Sequence, residues 1–241
     1  MTYCVGLLLD AGMVLLSDTR TNAGLDNIAT YRKMFTFEEP GERVVAIMTA
    51  GSLSVTQTAL ARLREAIDEG DATGETSIML APTMLKVAEI VGNTLAQVRQ
   101  DIESRMEASK VSTAASMIVA GQRRGGAMRM FLVYPEGNFI EATEDTPYLQ
   151  IGEHKYGKPI LDRVVTPATS IADARKAVLL SMDSTLRSNL SVGMPLDLAV
   201  IEKDACRVTE RQRIEKNDAE FARMSAAWSE ALRDGFTRIS I

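Results

Sequence analysis

Three side chains near the start of the chain form a pattern that suits a nucleophile site without histidine. Thr2 follows Met1, Asp18 closes the second of two short apolar runs, and Lys33 lies on the third predicted strand. If the first three strands are neighbours, these side chains meet at one end of a sheet. Removal of Met1, which a small second residue permits, would give Thr2 a free α-amine with a reference pKa of about 7.7–8.0. That amine, directly or through a water, can take the proton from the Thr2 hydroxyl.

Lys33 and Asp18 have complementary parts in this hypothesis. A nearby ammonium such as Lys33 favours the neutral form of the amine and so lowers its pKa. Asp18 would hold Lys33 in place and offset the cost of burying its charge. The same residues also have ordinary explanations, since Thr is common at position 2, Asp often caps a turn, and most Lys side chains are solvated.

The composition removes several competing mechanisms. Among 241 residues there is one histidine, His154, which excludes multi-His metal sites, and we expect it to be a surface or interface residue. The formal net charge of −5 argues against a nucleic-acid partner. Cys4 and Cys206 match no metal or redox spacing and are interpreted as buried free thiols. We therefore expect a cytoplasmic protein with no signal peptide, membrane span, metal or cofactor.

Hydrophobic periodicity predicts an alternation of strand groups and helix pairs. The predicted strands cover residues 3–9, 13–17, 31–37, 43–49, 112–121, 127–134, 139–142, 148–152, 194–203 and 206–214. The predicted helices cover residues 52–68, with Ser52 as N-cap, 82–108, 158–163, 170–190 and 218–234.

The order of these elements predicts the architecture. Hairpin-joined strands imply antiparallel sheets, and two separate helix pairs need two outer faces to cover. We therefore expect an α+β fold, a four-layer αββα sandwich of two antiparallel sheets, as a single domain over residues 1–241. The C-terminal helix at about 218–234 is a candidate for assembly, and its Trp228 could pack within a subunit or between subunits.

Several short segments together carry a resemblance to a known family. They are Thr2-Tyr3-Cys4-Val5-Gly6, Ser17-Asp18-Thr19-Arg20, Lys33, Thr49-Ala50-Gly51 and Arg187–Gly193. In order and spacing they resemble proteasome β subunits, and the run that continues Arg20 with Thr21-Asn22-Ala23-Gly24-Leu25-Asp26-Asn27 resembles Anbu, the bacterial proteasome-related family, more closely. The resemblance implies an N-terminal nucleophile hydrolase fold, self-assembly into a homo-oligomeric ring or ring-like spiral, and a peptide or protein substrate. It leaves open whether an unfoldase partner exists.

The resemblance also implies roles for individual residues. By match of position, Thr2 would be nucleophile and base, Asp18 and Lys33 its tuning pair, and Arg20 a brace for the Asp18 loop. Gly51 would give its backbone N–H to the oxyanion. That last role also follows from the residues, because Gly51 opens a predicted helix, and a helix N-terminus presents free N–H groups to negative charge.

Two positions depart from the proteasome pattern. Active β subunits carry Arg-Asp-x-x-Ser-Gly near the last strands, whereas this chain keeps the serine as Ser191 but has Ser188 in place of the aspartate that supports the amine. Both serines could also simply end the preceding helix. The usual Gly-Ser-Gly before the next helix is Gly152-Glu153-His154 here.

Three functions are compatible with this pattern. The expected one is a threonine-type endopeptidase that cleaves amide bonds through Thr2, with Asp18, Lys33, Gly51 and Ser191 as catalytic residues and Arg20 and Ser188 as supporting ones. The alternatives are a structural or binding assembly that kept the fold without the chemistry, and a non-peptide amidase, since one fold hosts many amide substrates.

Overall fold

A computed structural model of the chain describes residues 2–22, 28–70, 75–105 and 112–240. Twelve strands and five helices lie within these ranges. The strands are β1 (Tyr3–Leu9), β2 (Gly12–Asp18), β3 (Arg20–Asn22), β4 (Ile28–Thr30), β5 (Met34–Glu39), β6 (Arg43–Gly51), β7 (Ala115–Arg123), β8 (Arg129–Val133), β9 (Phe139–Glu141), β10 (Tyr148–Gly152), β11 (Leu196–Glu202) and β12 (Glu210–Ile214). The helices are α1 (Leu53–Glu69), α2 (Met84–Arg105), α3 (Lys158–Val164), α4 (Ile171–Ser188) and α5 (Ala219–Arg238), with a single 3₁₀ turn at His154–Tyr156.

The strands form two five-stranded antiparallel sheets and one small ribbon. The first sheet has the order β10-β1-β2-β11-β12, and the second has the order β5-β6-β7-β8-β9. The ribbon pairs β3 with β4. Neighbouring strands along the chain are mostly joined as hairpins, as the Asp, Gly and Pro residues between the apolar runs indicate.

Three layers of buried apolar side chains hold four layers of secondary structure together. One layer lies between α1, α2 and the second sheet and includes Leu63 and Val119. Another lies between the first sheet and helices α3 and α4 and includes Leu16 and Val178. The third lies between the two sheets. This arrangement confirms the predicted αββα sandwich, because each sheet buries both faces.

Most predicted elements match the observed ones within a few residues, and β1 and β10 match at both ends. Two differences bear on the site. The ribbon of β3 and β4 was not predicted, because strands of three residues give too short a hydrophobic period to detect. Lys33 was predicted on the third strand but lies just before β5, which begins at Met34.

None of the helices in the described ranges combines the length and apolar character required to cross a lipid bilayer.

Candidate functional site

A buried ion pair between Asp18 and Lys33 lies at the centre of the candidate site. Lys33 Nζ is 2.7 Å from Asp18 Oδ1, and the two residues are 4% and 0% exposed. The same ammonium donates a hydrogen bond of 2.6 Å to the carbonyl of Arg20. The backbone of Lys33 is fixed in turn, because its carbonyl accepts a hydrogen bond from Thr49 N at 2.9 Å.

The pair joins the two sheets of the sandwich. Asp18 is the last residue of β2 in the first sheet, and Lys33 leads into β5, the edge strand of the second sheet. The expectation that the side chains meet at one end of a single sheet is therefore wrong in its geometry. They meet because the ends of two stacked sheets lie close together.

Two backbone N–H groups complete the surroundings of the Asp18 carboxylate. Tyr3 N donates to Oδ1 at 3.1 Å, and Gly193 N donates to Oδ2 at 3.2 Å. Burial raises the pKa of the Asp18 carboxyl above its ordinary value, while the Lys33 ammonium and the two N–H groups act in the opposite direction. Both carboxylate oxygens therefore have donors, and the side chain has a fixed orientation.

Thr2 directly precedes β1 and is followed by Tyr3, whose N–H binds the Asp18 carboxylate. It is 7% exposed, and its carbonyl accepts a hydrogen bond from Glu153 N at 2.7 Å. The following residue, Tyr3, pairs with Gly152 of β10 and donates its N–H to Asp18. The backbone at Thr2 is thus fixed by Glu153, which follows β10, and the next residue is fixed by the Asp18 carboxylate.

The side chain of Tyr3 anchors this end of β1 to the helical layer. Its hydroxyl is 2.6 Å from Ser181 Oγ of α4 and accepts a hydrogen bond of 2.6 Å from Gln150 Nε2. Burial raises the pKa of the Tyr3 phenol to about 12, with the two hydrogen bonds opposing that effect. This anchor was not predicted, because Tyr3 and Ser181 are 178 residues apart in the sequence.

Gly51 connects β6 to α1 and has a backbone conformation that requires glycine. Its φ is +99°, and a Cβ placed there would lie 2.3 Å from the carbonyl oxygen of Ala114. Ser52, the predicted N-cap, does occupy that position before Leu53, but its hydroxyl contacts Ser54 Oγ at 3.1 Å and caps no helix N–H. The N-terminus of α1 is therefore not closed by the Ser52 side chain.

The loop after α4 forms the remaining wall of the site. Arg20 Nη1 donates to the carbonyl of Leu190 at 2.8 Å, and a Cβ on Gly193 would lie 2.2 Å from Arg20 Nε. Glycine at position 193 therefore lets the guanidinium pack against the backbone that donates to Asp18. Ser191 is half-buried in this loop, and its N–H donates to Asn189 Oδ1 at 2.9 Å.

Ser188 lies apart from these contacts as the exposed last residue of α4, and its expected supporting role stays a prediction.

Thr19 also helps to position the site, although no role was assigned to it from the sequence. Its hydroxyl donates to the carbonyl of Pro195 at 2.6 Å and its carbonyl accepts from Tyr31 N at 2.9 Å. Thr19 therefore ties the end of β2 to the loops on either side.

The remaining sequence candidates lie outside the site. His154 is exposed, and its Nδ1 is 3.1 Å from the carbonyl of Gly152. Cys4 and Cys206 are buried free thiols, as expected. Over the described ranges, no cluster of three or more His, Cys, Asp or Glu side chains is arranged to hold a metal ion. Residues 23–27, part of the run most similar to Anbu, lie outside the described residues.

Taken together, the four-layer sandwich and the Thr2 end of β1 define a proteasome-related protein with the N-terminal nucleophile hydrolase fold. Comparison with solved structures narrows this class. The chain is 46% identical to an Anbu (Gly-1) mutant from Hyphomicrobium sp. strain MC1, over 100% of this chain and 99% of that one, with a TM-score of 0.92. It is 39% identical to Anbu (ancestral beta-subunit) from Yersinia bercovieri, over 99% and 98% of the two chains, with a TM-score of 0.91.

A third relative is described as a helical assembly of the Anbu complex from Pseudomonas aeruginosa. It is 42% identical over 99% of this chain and 97% of that one, with a TM-score of 0.92. No family model and no curated protein matches the chain. At these identities and coverages the chain belongs to the Anbu family.

Proposed function

We propose that the protein is a threonine-type amide hydrolase of the N-terminal nucleophile kind, which cleaves peptide bonds after Met1 is removed and works as a self-assembled oligomer. The observation that carries the proposal is the buried Asp18–Lys33 pair, whose carboxylate accepts a hydrogen bond from the N–H of Tyr3, the residue that follows Thr2. No cofactor takes part in the proposed reaction.

The energetics of the ion pair favour a chemical role over a structural one. Burying two charges costs several kcal/mol per ion, and well-packed apolar residues often replace such pairs with no loss of stability. Here the charges of Asp18 and Lys33 are also satisfied by the backbone of Tyr3, Arg20 and Gly193. An ammonium held on the carboxylate that binds the N–H of Tyr3, the residue after Thr2, would favour the neutral, basic form of a free α-amine on Thr2.

The proposed reaction uses Thr2 as both nucleophile and base. The α-amine takes the proton from Oγ1, directly or through a water, and Oγ1 forms a bond to the carbonyl carbon of the substrate. The C–N bond of the resulting tetrahedral intermediate then breaks, and the leaving amine takes the proton back. Water attacks the acyl ester on Thr2 in the second half of the cycle and releases the acid.

Gly51 is proposed to stabilise the oxyanion through its backbone N–H. The glycine conformation at this strand end and the adjacent N-terminus of α1, with no side-chain cap from Ser52, favour negative charge at this point. Ser191 is proposed to assist proton transfer, since its loop also supplies Gly193 to the Asp18 carboxylate. Arg20 supports this loop through the carbonyl of Leu190.

A specific observation also favours the second candidate, an assembly without peptidase chemistry. Ser188 replaces the carboxylate that the proteasome pattern places near the amine, and it is exposed at the end of α4. The non-peptide amidase differs from the first candidate only in substrate, so a panel of peptides, small amides and acyl-lactones distinguishes them.

Self-assembly is proposed to involve α5. Its first half packs on α4, where Ser225 Oγ donates to the buried Asp183 at 2.7 Å. Leu232 and Phe236 of its second half, and Ile239 directly after it, are between 53% and 80% exposed. Deleting residues 231–241 should reduce the mass of the oligomer in light scattering, while the far-UV circular dichroism spectrum shows that the sandwich remains folded. An unchanged mass would exclude this part of α5 from the interface.

The experiment for the proposed activity compares Thr2→Ala with Thr2→Ser on a peptide panel. Thr2→Ala should lower kcat/KM by about 10⁴-fold or more, whereas Thr2→Ser keeps a hydroxyl nucleophile and should retain measurable hydrolysis. Both variants allow Met1 to be removed, so N-terminal mass analysis confirms that they are matched. Equal function of Thr2→Ala and the parent protein, in hydrolysis or in cells, would favour the assembly without chemistry.

A further inference from the structure

Three side chains, Asp183, Arg187 and Ser225, join α5 to the last turns of α4 and are called here the α4–α5 clamp. Asp183 is 4% exposed, and its Oδ1 accepts a hydrogen bond of 2.7 Å from Ser225 Oγ of α5. Its Oδ2 accepts a hydrogen bond of 3.1 Å from Arg187 Nε, one turn further along α4. Arg187 Nη2 also donates to Ser225 Oγ at 2.7 Å, which closes a ring of three hydrogen bonds. Both oxygens of this buried carboxylate therefore have donors.

The C-terminal end of α4 leads directly to one of the two backbone groups that bind the Asp18 carboxylate. Asn189 ends the helix, and its side-chain oxygen and its carbonyl accept the N–H groups of Ser191 and Val192 at 2.9 and 3.2 Å. These bonds fold the loop into a tight turn, and Gly193, the next residue, donates its N–H to Asp18. The position of this donor therefore depends on the position of the last turn of α4.

The second backbone donor to Asp18 depends on α4 as well. Tyr3 donates its N–H to Asp18, and its hydroxyl is 2.6 Å from Oγ of Ser181, two residues before Asp183 on α4. Ser181 is fully buried, so this contact lies inside the layer between α4 and the first sheet. One helix thus supports both N–H groups on the carboxylate, Tyr3 through a side chain and Gly193 through the loop.

We propose that the α4–α5 clamp positions the last turns of α4 so that Gly193 and Tyr3 bring their N–H groups to Asp18. The physical reason is the burial of Asp183, because a buried carboxylate oxygen that loses its donor costs the full desolvation penalty of that group. A displacement of α5 therefore either moves the last turns of α4 with it or leaves Oδ1 of Asp183 buried and unpaired. The three members of the clamp are positioning residues, since they act on the candidate site through α4.

The clamp gives α5 a second effect besides assembly. The exposed second half of α5 is proposed to contact other copies of the chain, so whatever fixes α5 in the oligomer would also fix the two N–H groups on Asp18. This consequence rests on the proposed self-assembly. The clamp itself depends neither on assembly nor on hydrolysis.

Hydrogen–deuterium exchange of the full chain tests the clamp without a substrate, so its outcome is independent of whether Thr2 cleaves peptides. Ser225→Ala removes one donor to Asp183, and the amides of residues 189–194 should then exchange about 3–30-fold faster, the range of coupling within one hydrogen-bond network. Ser225→Thr keeps the hydroxyl and should retain the slow exchange of the parent protein. Ser229→Ala is the matched control, because its hydroxyl donates to the carbonyl of Ser225 within α5 at 2.9 Å.

Arg187→Met is a second variant that keeps the core intact, since the Arg187 side chain is 57% exposed. It should also accelerate exchange of residues 189–194. Unchanged exchange of these residues in either folded variant, whether or not α5 itself exchanges faster, would overturn the proposal and show that the clamp only attaches α5. Equal acceleration in Ser229→Ala would overturn it as well.

Discussion

Replacing Lys33 by methionine isolates the electrostatic contribution of the buried pair. The substitution keeps side-chain length and removes the charge, which leaves the Asp18 carboxylate fully buried with two N–H donors and no counter-ion. Breaking a buried pair in this way costs about 3–5 kcal/mol. For a chain of this size each kcal/mol lowers Tm by about 2–4 °C, so the expected loss is about 6–20 °C.

The pH dependence of this loss follows from the direction of the Asp18 pKa. Burial raises the pKa of the carboxyl above its unfolded value of 3.8, so the folded state binds the proton more tightly than the unfolded chain. The stability associated with this group is fully present below the unfolded pKa and is lost as pH rises through the folded pKa. Without the ammonium the folded pKa rises further, so the deficit of Lys33→Met should be larger at pH 7 than at pH 4.

Denaturant and thermal unfolding with a matched control provide the assay. Lys158→Met makes the same chemical change in a pair whose side chains are 48% and 46% exposed, and after screening it should cost no more than about 1 kcal/mol. The double variant Asp18→Asn/Lys33→Met should recover part of the loss, because no unpaired charge remains buried. A Lys33→Met variant no less stable than Lys158→Met would refute the reasoning.

Three further predictions concern a glycine of the site and buried side chains. Gly51→Ala should lower Tm and reduce any hydrolysis by about 10²–10³-fold, because φ is +99° and the new Cβ would meet the Ala114 carbonyl. Gly41→Ala is the control: its φ is +83°, but the space around it is open, so this substitution should affect stability far less. The Tyr3 phenol should titrate near pH 12 when followed by absorbance at 295 nm, at a higher pH than an ordinary tyrosine. Its stabilising contribution should be complete below pH 10 and lost as pH rises toward 12. A titration at the ordinary pH would show that Tyr3 is not buried. Cys4 and Cys206, whose pKa values are raised by burial, should not react with a thiol reagent until the protein unfolds, and labelling of the native protein would contradict their burial.

The layered architecture was predictable because it depends on local patterns. The apolar run of β1 and the turn residues between strands are visible in any short window of the sequence. The start of α2 was predicted less well, at residue 82 against Met84, since helix ends depend on capping contacts that periodicity does not contain. The predicted end at residue 108 lies outside the described residues.

The candidate site was predictable in its residue types but not in its geometry. The pairing of Asp18 with Lys33 follows from charge and spacing, but the contribution of Gly193 comes from a residue 175 positions away. A backbone N–H has no signature in the sequence, so donors of this kind become visible only when the sheets are stacked. The position of Lys33 between two sheets depends on the same stacking.

The most direct test of the account treats the protein with a peptide epoxyketone or a β-lactone and measures the mass of the intact chain and of its N-terminal peptide. The account predicts that Met1 is absent and that one probe molecule is attached to the peptide beginning at Thr2. Thr2→Ala should show no such adduct. Retention of Met1 in the functional protein, or activity that persists with no adduct and is unchanged in Thr2→Ala, would contradict the central claim that Thr2 is the nucleophile.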